Sequence, residues 1–564
     1  MQLRFLGPLS IVTGSCTWMR DTERGWNFLV DCGMQQGELK ADDWNKRVWP
    51  FDPADIKFVV LTHAHIDHSG LLPRLYKDGF SGTVYCTKET AALAEIVLLD
   101  AAQYATCPYK DSDVARINWH EHMSTAVLGG FMPVGQDLFL RFWRSAHIMG
   151  AVSVSVVWGP KGPNQRSITF SGDLGPNAED VEELPYLRHR MTPVGATFAV
   201  VESTYGNIVR DPDTQTAEAR RAALRDLLDD AIARNGILLL PCFALGRTQD
   251  VLFDLHYIVA ENRERYGHIA FYLDAPMAAR MQKVVAKGLD RTEQSGSQGK
   301  VRPLWLGKQM YRWFGLDDKV PAHTERLVDM LAVALHVQTQ SRRGDTSVGN
   351  SVARAWAPIL RTVKKREDVR AEGLVGPSVI VSGGGMCEGG PVGYWLSELL
   401  GDPRLTVALT GYCSASTIGG KLRVLGAAPL AERQRHRGRL TWSPAQSVAI
   451  ADIRARIVSL TGYSAHADQK GLVDWLFSQF KGEWYSVGQT VFVQHGEDQQ
   501  RSALAEAAQA RADELGLRVN TLLPNDDAAW HDLEADGEAM ADDDAKARIR
   551  AQIAALEKLL KDAE

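Results

Sequence analysis

The sequence predicts an α/β protein of more than one domain, and three observations carry that prediction. From Met1 to about Tyr205 the chain is a series of short β-rich runs closed by Gly- or Asp-containing turns: "NFLVDCG", "FVVLTHAH", "GTVYCT", "SITFSGDLG", "ATFAVVEST". Several are apolar throughout, as strands buried between layers are. "KETAALAEIVLLDAAQYA" between them has helical periodicity, which predicts helices outside packed sheets. After Gly206 helix and strand alternate through "TAEARRAALRDLLDDAIARN", "GILLLPC", "GRTQDVLFDLHYIVAENRERYG" and "IAFYLDAPM", the pattern of a parallel sheet with flanking helices. Finally, 564 residues exceed what one hydrophobic core supports.

The remaining elements follow in order. The alternation continues through "GPSVIVSGGGMCEGGPVGYWLSELLGDPRLTVALTGYC" to about Leu425. Within it, Gly288 to Arg354 is polar and poorly periodic, which predicts an insertion or mobile subdomain. A β-rich texture resumes near Ile453 and runs to Asn525. The predicted divisions are therefore 1–205, 206–425, 426–525 and a tail, 526–564, that is acidic and then helical. In the tail Ile549, Ile553, Leu556 and Leu560 repeat at four, three and four, a stripe that fits docking on the body, a homodimer or a protein partner.

Composition excludes several classes. With 45% hydrophobic and 23% charged residues and no low-complexity tract, the chain reads as soluble and globular rather than disordered or fibrous. No apolar run spans a bilayer, so no membrane is expected. "MQLRFLGPLSIVTGSC", with Arg4 inside its apolar stretch, reads as a first strand rather than a signal peptide. Seven scattered cysteines, never spaced as CxxC, fit reduced thiols and a cytoplasmic location. A net charge of −6 offers no global attraction to nucleic acid, so a polyanionic substrate needs a local positive surface or bound cations. "RQRHRGR" (Arg433 to Arg439) and "VKKRED" (around Lys364 to Arg366) are the candidate surfaces, each also readable as a solvated face.

The chemistry begins at "LTHAHIDHSG", which sets His63, His65, Asp67 and His68 within six residues behind the apolar "FVV". A lone histidine is more often a core or loop residue. Here His63 and His65 lie two apart, so an extended segment points both the same way, and Asp67 and His68 follow where the chain can turn back. Imidazole and carboxylate suit zinc or a similar divalent ion, and burying them unpaired is costly. Further donors stand at other strand ends: Asp31 in "FLVDCG", His147 in "RSAHIMGA" and Asp173 in "TFSGDLG".

Taken in order, these segments strongly resemble the metallo-β-lactamase fold. "VESTYGN" with Glu202, "GYSAHADQ" with His466 and "VQHGE" with His495 narrow the resemblance to the β-CASP nucleases, helped by "PCFALGRTQD", "DAPMA" and "SGGGMCEGGPVGYWL". That group includes the pre-mRNA 3′-end-processing endonuclease, ribonuclease J and Artemis-type DNA nucleases. The resemblance covers roughly Met1 to Asn525. It implies an αββα sandwich interrupted by an inserted β-CASP α/β domain. It also implies two zinc ions, with manganese acceptable to the same donors. His63, His65 and His147 would hold one ion, Asp67, His68 and His495 the other, with Asp173 between them and Asp31 orienting a ligand imidazole. Water would be the nucleophile, and no GxSxG elbow offers a covalent one. With Asp67 in the catalytic set, His466 would be the general acid and Glu202 its partner.

For phosphate, "SGGGMCEGG" with Ser382 could form a cradle, although a tight strand-to-helix turn explains the glycines equally well. Arg247 and Lys421 are candidate backbone contacts or structural ion-pair partners. The expected function is hydrolysis of single-stranded RNA to 5′-phosphate and 3′-hydroxyl ends, by internal or 5′-3′ attack. His495 favours RNA, because DNA-repair members of the family usually carry an apolar residue there. A DNA nuclease of the same fold, and a gated or scaffold RNA-binding subunit that needs a partner, are the alternatives.

Overall fold

Alternation along each strand sends Phe28, Val30, Phe58 and Val60 to one side of a seven-stranded sheet and Leu29, Val59 and Leu61 to the other. Both sides are buried, which is why the runs read as continuously apolar. The computed structural model describes residues 1–36, 41–121, 128–160, 165–176, 190–193, 196–289, 291–295, 300–307, 310–311, 315–335, 360–411, 413–443, 446–479 and 489–534. Across the first sheet the strands run His531–Asp532, Gln2–Leu6, Cys16–Asp21, Trp26–Cys32, Phe58–Val60, Thr83–Cys86, Trp119–Glu121. A second sheet runs Val519–Leu522, Gln489–Val493, Phe198–Val201, Arg166–Phe170, Val152–Trp158, Leu138–Arg144, Met132–Gly135.

The two sheets pack face to face through Phe28, Val30 and Phe58 of the first and Val154, Val156, Ile168, Phe198 and Phe492 of the second. Each such side chain contributes roughly 1.5–3 kcal/mol on burial. Helix Lys88–Ala101, started by Thr87 capping the Thr90 N–H, covers the outer face of the first sheet with Leu93 and Leu98. Gln469–Gln479 and Asp498–Leu515 cover the second with Leu472, Leu476, Leu504 and Ala508. Helix, sheet, sheet, helix is the αββα order. From Trp26–Cys32 to Trp119–Glu121, and from Arg166–Phe170 to Val519–Leu522, neighbouring strands are parallel, so their C-terminal ends gather on one edge.

A third sheet, all parallel, runs Leu360–Thr362, Ala270–Asp274, Ser378–Gly383, Ile237–Cys242, Leu405–Leu409, Arg456–Ser459. Leu238 and Leu240 pack on Leu224, Leu228 and Leu252 on one face, while Leu239 and Ile380 pack on Trp395, Leu396 and Leu422 on the other. This is the inserted domain, and it extends beyond Leu425: Arg456–Ser459 pairs with Leu405–Leu409 as its edge strand. "ARIVSL" reads as a strand in sequence, but no periodicity says which sheet takes it. The described parts of 288–354 are folded against the body. Leu304, Trp305, Leu327 and Leu331 share a cluster with Met149, Phe253 and Val285. The expected linker also docks at its start, where His531–Asp532 pairs with Gln2–Leu6, and Trp530 meets Trp18 with ring centres 4.6 Å apart. The striped segment Ile549 to Leu560 lies outside the described residues. Among the described residues no helix is long and apolar enough to cross a membrane.

Candidate metal centre

Six strand ends along one edge of the sandwich deliver the donors. Asp31 is the penultimate residue of strand Trp26–Cys32, and His63 and His65 follow Phe58–Val60. Asp67 and His68 sit on the single turn Ile66–Ser69, and His147 lies between Leu138–Arg144 and Val152–Trp158. Asp173, Glu202 and His495 follow Arg166–Phe170, Phe198–Val201 and Gln489–Val493. Three backbones here adopt the left-handed region although they are not glycine: Asp31 at φ 59°, Ala146 at 61° and His495 at 53°. Such conformations cost energy and persist where the surroundings over-determine them.

Hydrogen-bond partners fix which ring nitrogen of each histidine faces the centre. The Ala465 carbonyl can only accept, so His147 Nδ1 donates to it at 2.8 Å and Nε2 keeps its lone pair. His68 Nδ1 likewise donates to Asp31 Oδ2 at 2.8 Å. Thr62 gives its hydroxyl proton to Asp31 Oδ2 at 2.9 Å and so accepts from His63 Nδ1 at 3.1 Å. Ser15 Oγ lies 2.9 Å from His495 Nδ1. Lone pairs therefore converge. His63 Nε2 and His147 Nε2 each lie 3.1 Å from His65 Nδ1, and both lie 3.4 Å from Asp173 Oδ2. On the other side Asp173 Oδ1 is 3.2 Å from His68 Nε2 and 3.4 Å from His495 Nε2, with Asp67 Oδ2 3.9 Å from the latter.

These separations are edges of a coordination shell: donors at about 2.0–2.1 Å from one ion stand roughly 3.3 Å apart. His68 Nε2, His495 Nε2 and Asp173 Oδ1 are buried without a hydrogen bond, the costly condition that a cation relieves. Burial holds His63, His65 and His147 well below the ordinary imidazole value, with neighbouring rings adding to it. Burial also works against charge on His68, yet Asp173 and Asp31 raise it well above that value. Asp173 stays well below the usual carboxylate range despite burial, held by His495, His68 and His63. Asp67 is raised by burial. The neutral imidazoles of His63, His65 and His147 around the ionised Asp173 carboxylate form a site for divalent metal, and a cation held by His68 would take the place of its proton.

His466 stands beside this centre, its Nδ1 3.1 and 3.2 Å from the two Glu202 oxygens and its Nε2 3.9 Å from Asp173 Oδ2. Burial lowers its proton affinity, but Glu202 outweighs that and raises it, with help from Asp173 and Asp67. Glu202 is itself aimed by the N–H groups of Leu174 at 2.7 Å and Thr204 at 3.2 Å. A cleft of about 1070 Å³ opens above, between sandwich and inserted domain. His65, Asp67, His147, Asp173, His466 and His495 line its floor, while Phe243, Arg247, Met277 and Gly383 to Met386 line its far wall.

Among the candidate phosphate contacts, Arg247 reaches the cleft, 5% exposed, with one terminal nitrogen 3.8 Å from Asp250 and Nε buried without a hydrogen bond. Ser382 does not: its hydroxyl is buried and donates to the Asp274 carbonyl at 3.4 Å, because strand alternation turns it into the sheet. The glycines after it line the cleft through their backbone, and Glu388 of that loop accepts the Ile418 N–H. Lys421 is exposed and away from the cleft lining, since Ile418, Leu422 and Leu425 form the buried stripe of helix Ile418–Ala427. Ser15, Thr62 and Tyr205 escaped notice in the sequence. Ser15 carries no motif, and only the partner strand's end shows that it meets His495.

Three family profiles match the chain in succession. The Metallo-beta-lactamase superfamily covers residues 11–234, the Beta-Casp domain 248–422, and the Zn-dependent metallo-hydrolase RNA specificity domain 450–524. Among curated relatives, "Ribonuclease TTHA0252" of Thermus thermophilus is 29% identical over 92% of this chain and 98% of its own. "Transcription termination factor FttA" of Lokiarchaeum is 24% identical over 88% of this chain and 67% of its own. An "RNase J-like protein" of Methanocaldococcus jannaschii is 24% identical over 89% and 94%. With its αββα sandwich, its inserted parallel-sheet domain and its histidine-aspartate centre at the strand ends, the chain belongs to the metallo-β-lactamase superfamily, in the β-CASP branch.

Proposed function

We propose that this chain is a metal-dependent ribonuclease that hydrolyses phosphodiester bonds of single-stranded RNA, leaving 5′-phosphate and 3′-hydroxyl ends. The observation that carries the reading is Asp173, whose two oxygens face separate donor groups while His466, paired with Glu202, stands on the same carboxylate. His63, His65 and His147 would hold one zinc ion and Asp67, His68 and His495 a second, with Asp173 shared and manganese acceptable to the same donors. Bound there, divalent ions supply Lewis acidity, lowering the pKa of water and offsetting charge on the phosphoryl oxygens.

The protein's own groups do the rest. Asp31, Thr62, Ser15 and the Ala465 carbonyl hold the imidazoles with their lone pairs inward. Glu202 keeps His466 protonated, and His466 gives that proton to the leaving 3′ oxygen. Tyr104, Tyr205 and Phe243 line the cleft, and aromatic residues are the type on which unpaired bases stack, which favours a single strand over a duplex. The matched RNA specificity domain and the ribonuclease name of the Thermus relative support RNA as substrate. Seven free thiols support a reducing, cytoplasmic setting.

The test is cleavage of matched end-labelled single-stranded RNA and DNA by metal-quantified protein, with Asp67→Ala as control. RNA cleavage that disappears in Asp67→Ala is the expected result. Equal cleavage by Asp67→Ala, or cutting of DNA alone, would overturn it.

A further inference from the structure

The basic run Arg433 to Arg439 takes no part in the centre just described, yet the fold does not leave it as a free loop. Arg433 donates to the Ala455 carbonyl at 3.0 Å. The His436 ring accepts the Gly438 N–H at 2.9 Å, fixing the turn. Arg439 is clipped to Ser447, 2.8 Å from its hydroxyl and 3.3 Å from its carbonyl. Between these anchors Arg435 and Arg437 are exposed and, among the described residues, make no ion pair. Glu432 is the one acid adjoining the run.

Their location ties them to the cleft. The hairpin of Arg439–Ser443 and Gln446–Ala449 grows from the end of the run. Its Trp442 lies against Gly393, and the Trp442 indole N–H donates to the Cys387 carbonyl at 2.7 Å. Cys387 belongs to the glycine loop whose Gly383 to Met386 and Glu388 to Pro391 line the cleft. The second basic segment reaches the same helix, Pro391–Leu399: Arg366, which lines the cleft and pairs with Asp274 at 2.6 Å, has its guanidinium 5.9 Å from the centre of the Tyr394 ring. The hairpin that continues one positive segment and Arg366 of the other thus reach the same loop and helix at one lip of the cleft.

We propose that Arg435, Arg437 and Arg439 form an outer track for the RNA backbone, gripping the strand after it leaves the cleft past the glycine loop. The inference rests on the ribonuclease reading and adds where a long substrate is held. A guanidinium suits this role because it contacts phosphates irrespective of sequence. The track contributes affinity for long RNA and nothing to the bond-breaking step.

The test measures binding of long and short single-stranded RNA across a salt series, using the full-length, metal-loaded His466→Ala chain, which keeps every metal donor and lacks the proton donor, so that cutting is suppressed. The same background carries either Arg435→Ala, Arg437→Ala and Arg439→Ala together, or the corresponding Arg→Lys set. The alanine set should lower the slope of log affinity against log salt for long RNA by about 2, from about 0.7 per lost contact on a single strand. Binding of short RNA should stay unchanged, as should its cleavage when the set is placed in the active chain. The lysine set should keep the slope, which separates lost charge from lost folding. Equal slopes for the alanine set and its parent would overturn the track while leaving the ribonuclease standing. An unsubstituted, metal-loaded chain that neither binds nor cuts RNA would remove the reading beneath it.

Discussion

The Asp31 carboxylate lies 2.8 Å from Nδ1 of His68 and leaves the opposite nitrogen of that ring facing Asp173 at 3.2 Å. Asp31 also accepts the Thr62 N–H at 2.8 Å and the Thr62 hydroxyl, so one side chain positions His68 directly and His63 through Thr62. Asn tolerates the left-handed backbone that Asp31 adopts, so Asp31→Asn removes the charge and keeps the turn. We expect it to weaken metal binding by about 10–100-fold, measured by competition with a chelator. Unchanged affinity would mean that His68 is oriented by the ring's own packing.

Two glycines far from any donor role bear on the same centre. A Cβ on Gly33 would stand 1.7 Å from the Asp67 carbonyl oxygen, and one on Gly175 would stand 1.8 Å from that of Ala146. Backbone that close must move, and in each case it is the segment carrying a donor: Asp67 itself, or His147 beside Ala146. Gly33→Ala and Gly175→Ala should therefore lower bound metal and cleavage together, although neither removes a ligand. Gly401→Ala serves as control for an alanine placed at a glycine with room for it, since the nearest atom to its Cβ position is the Asp452 carbonyl oxygen at 3.7 Å. Metal content and circular dichroism of the three variants check the expectation, which fails if Gly33→Ala retains full metal.

The pH dependence should report His466. Glu202 raises its proton affinity against the opposing effect of burial, so the proton-donating form persists above the ordinary imidazole range. Activity that needs this form falls as pH rises through the raised pKa. Glu202→Gln removes the largest stabilising charge, and the fall should then move toward lower pH. His466→Ala should retain metal and lose about 10²–10⁴-fold in turnover. A descending limb that does not move in Glu202→Gln would assign the proton to another group.

Much of this site was legible because metal chemistry interrupts hydrophobic pattern. Asp31, Asp173, Glu202 and His495 are polar residues placed just where apolar strands end, and His63, His65, Asp67 and His68 crowd one turn. The rest depends on which strands become neighbours. Ser15 is an ordinary loop serine until Gly33 and Asp67 bond to its backbone and bring it to His495. Arg456–Ser459 reads as a strand in either sheet, and pairing alone gives it to the inserted domain. Ser382 and Lys421 failed as cleft contacts for a related reason: residue type announced a phosphate ligand, but strand and helix phase turned one into the sheet and the other to solvent.

One buried network joins the inserted domain to the loop carrying His466. Arg220 meets Asp254 through Nε at 2.6 Å and a terminal nitrogen at 3.3 Å, and the Tyr463 hydroxyl donates to the same carboxylate at 2.8 Å. Burial, and then Asp254, raise the phenol well above its usual value, so it remains a donor. Arg220→Ala would leave Asp254, 0% exposed, as a buried charge without its cation, a loss of about 3–5 kcal/mol in chemical denaturation. Replacing Arg220 by Met and Asp254 by Leu together should recover most of it, because the pair's desolvation cost disappears with its attraction. Tyr463→Phe removes one bond to a charged group, about 1.5–3 kcal/mol. Because Tyr463 precedes His466 by three residues, that variant should also lose turnover while keeping its metal. If Arg220→Ala unfolds no more readily than the parent chain, water has replaced the arginine and the network does not hold the His466 loop on the inserted domain.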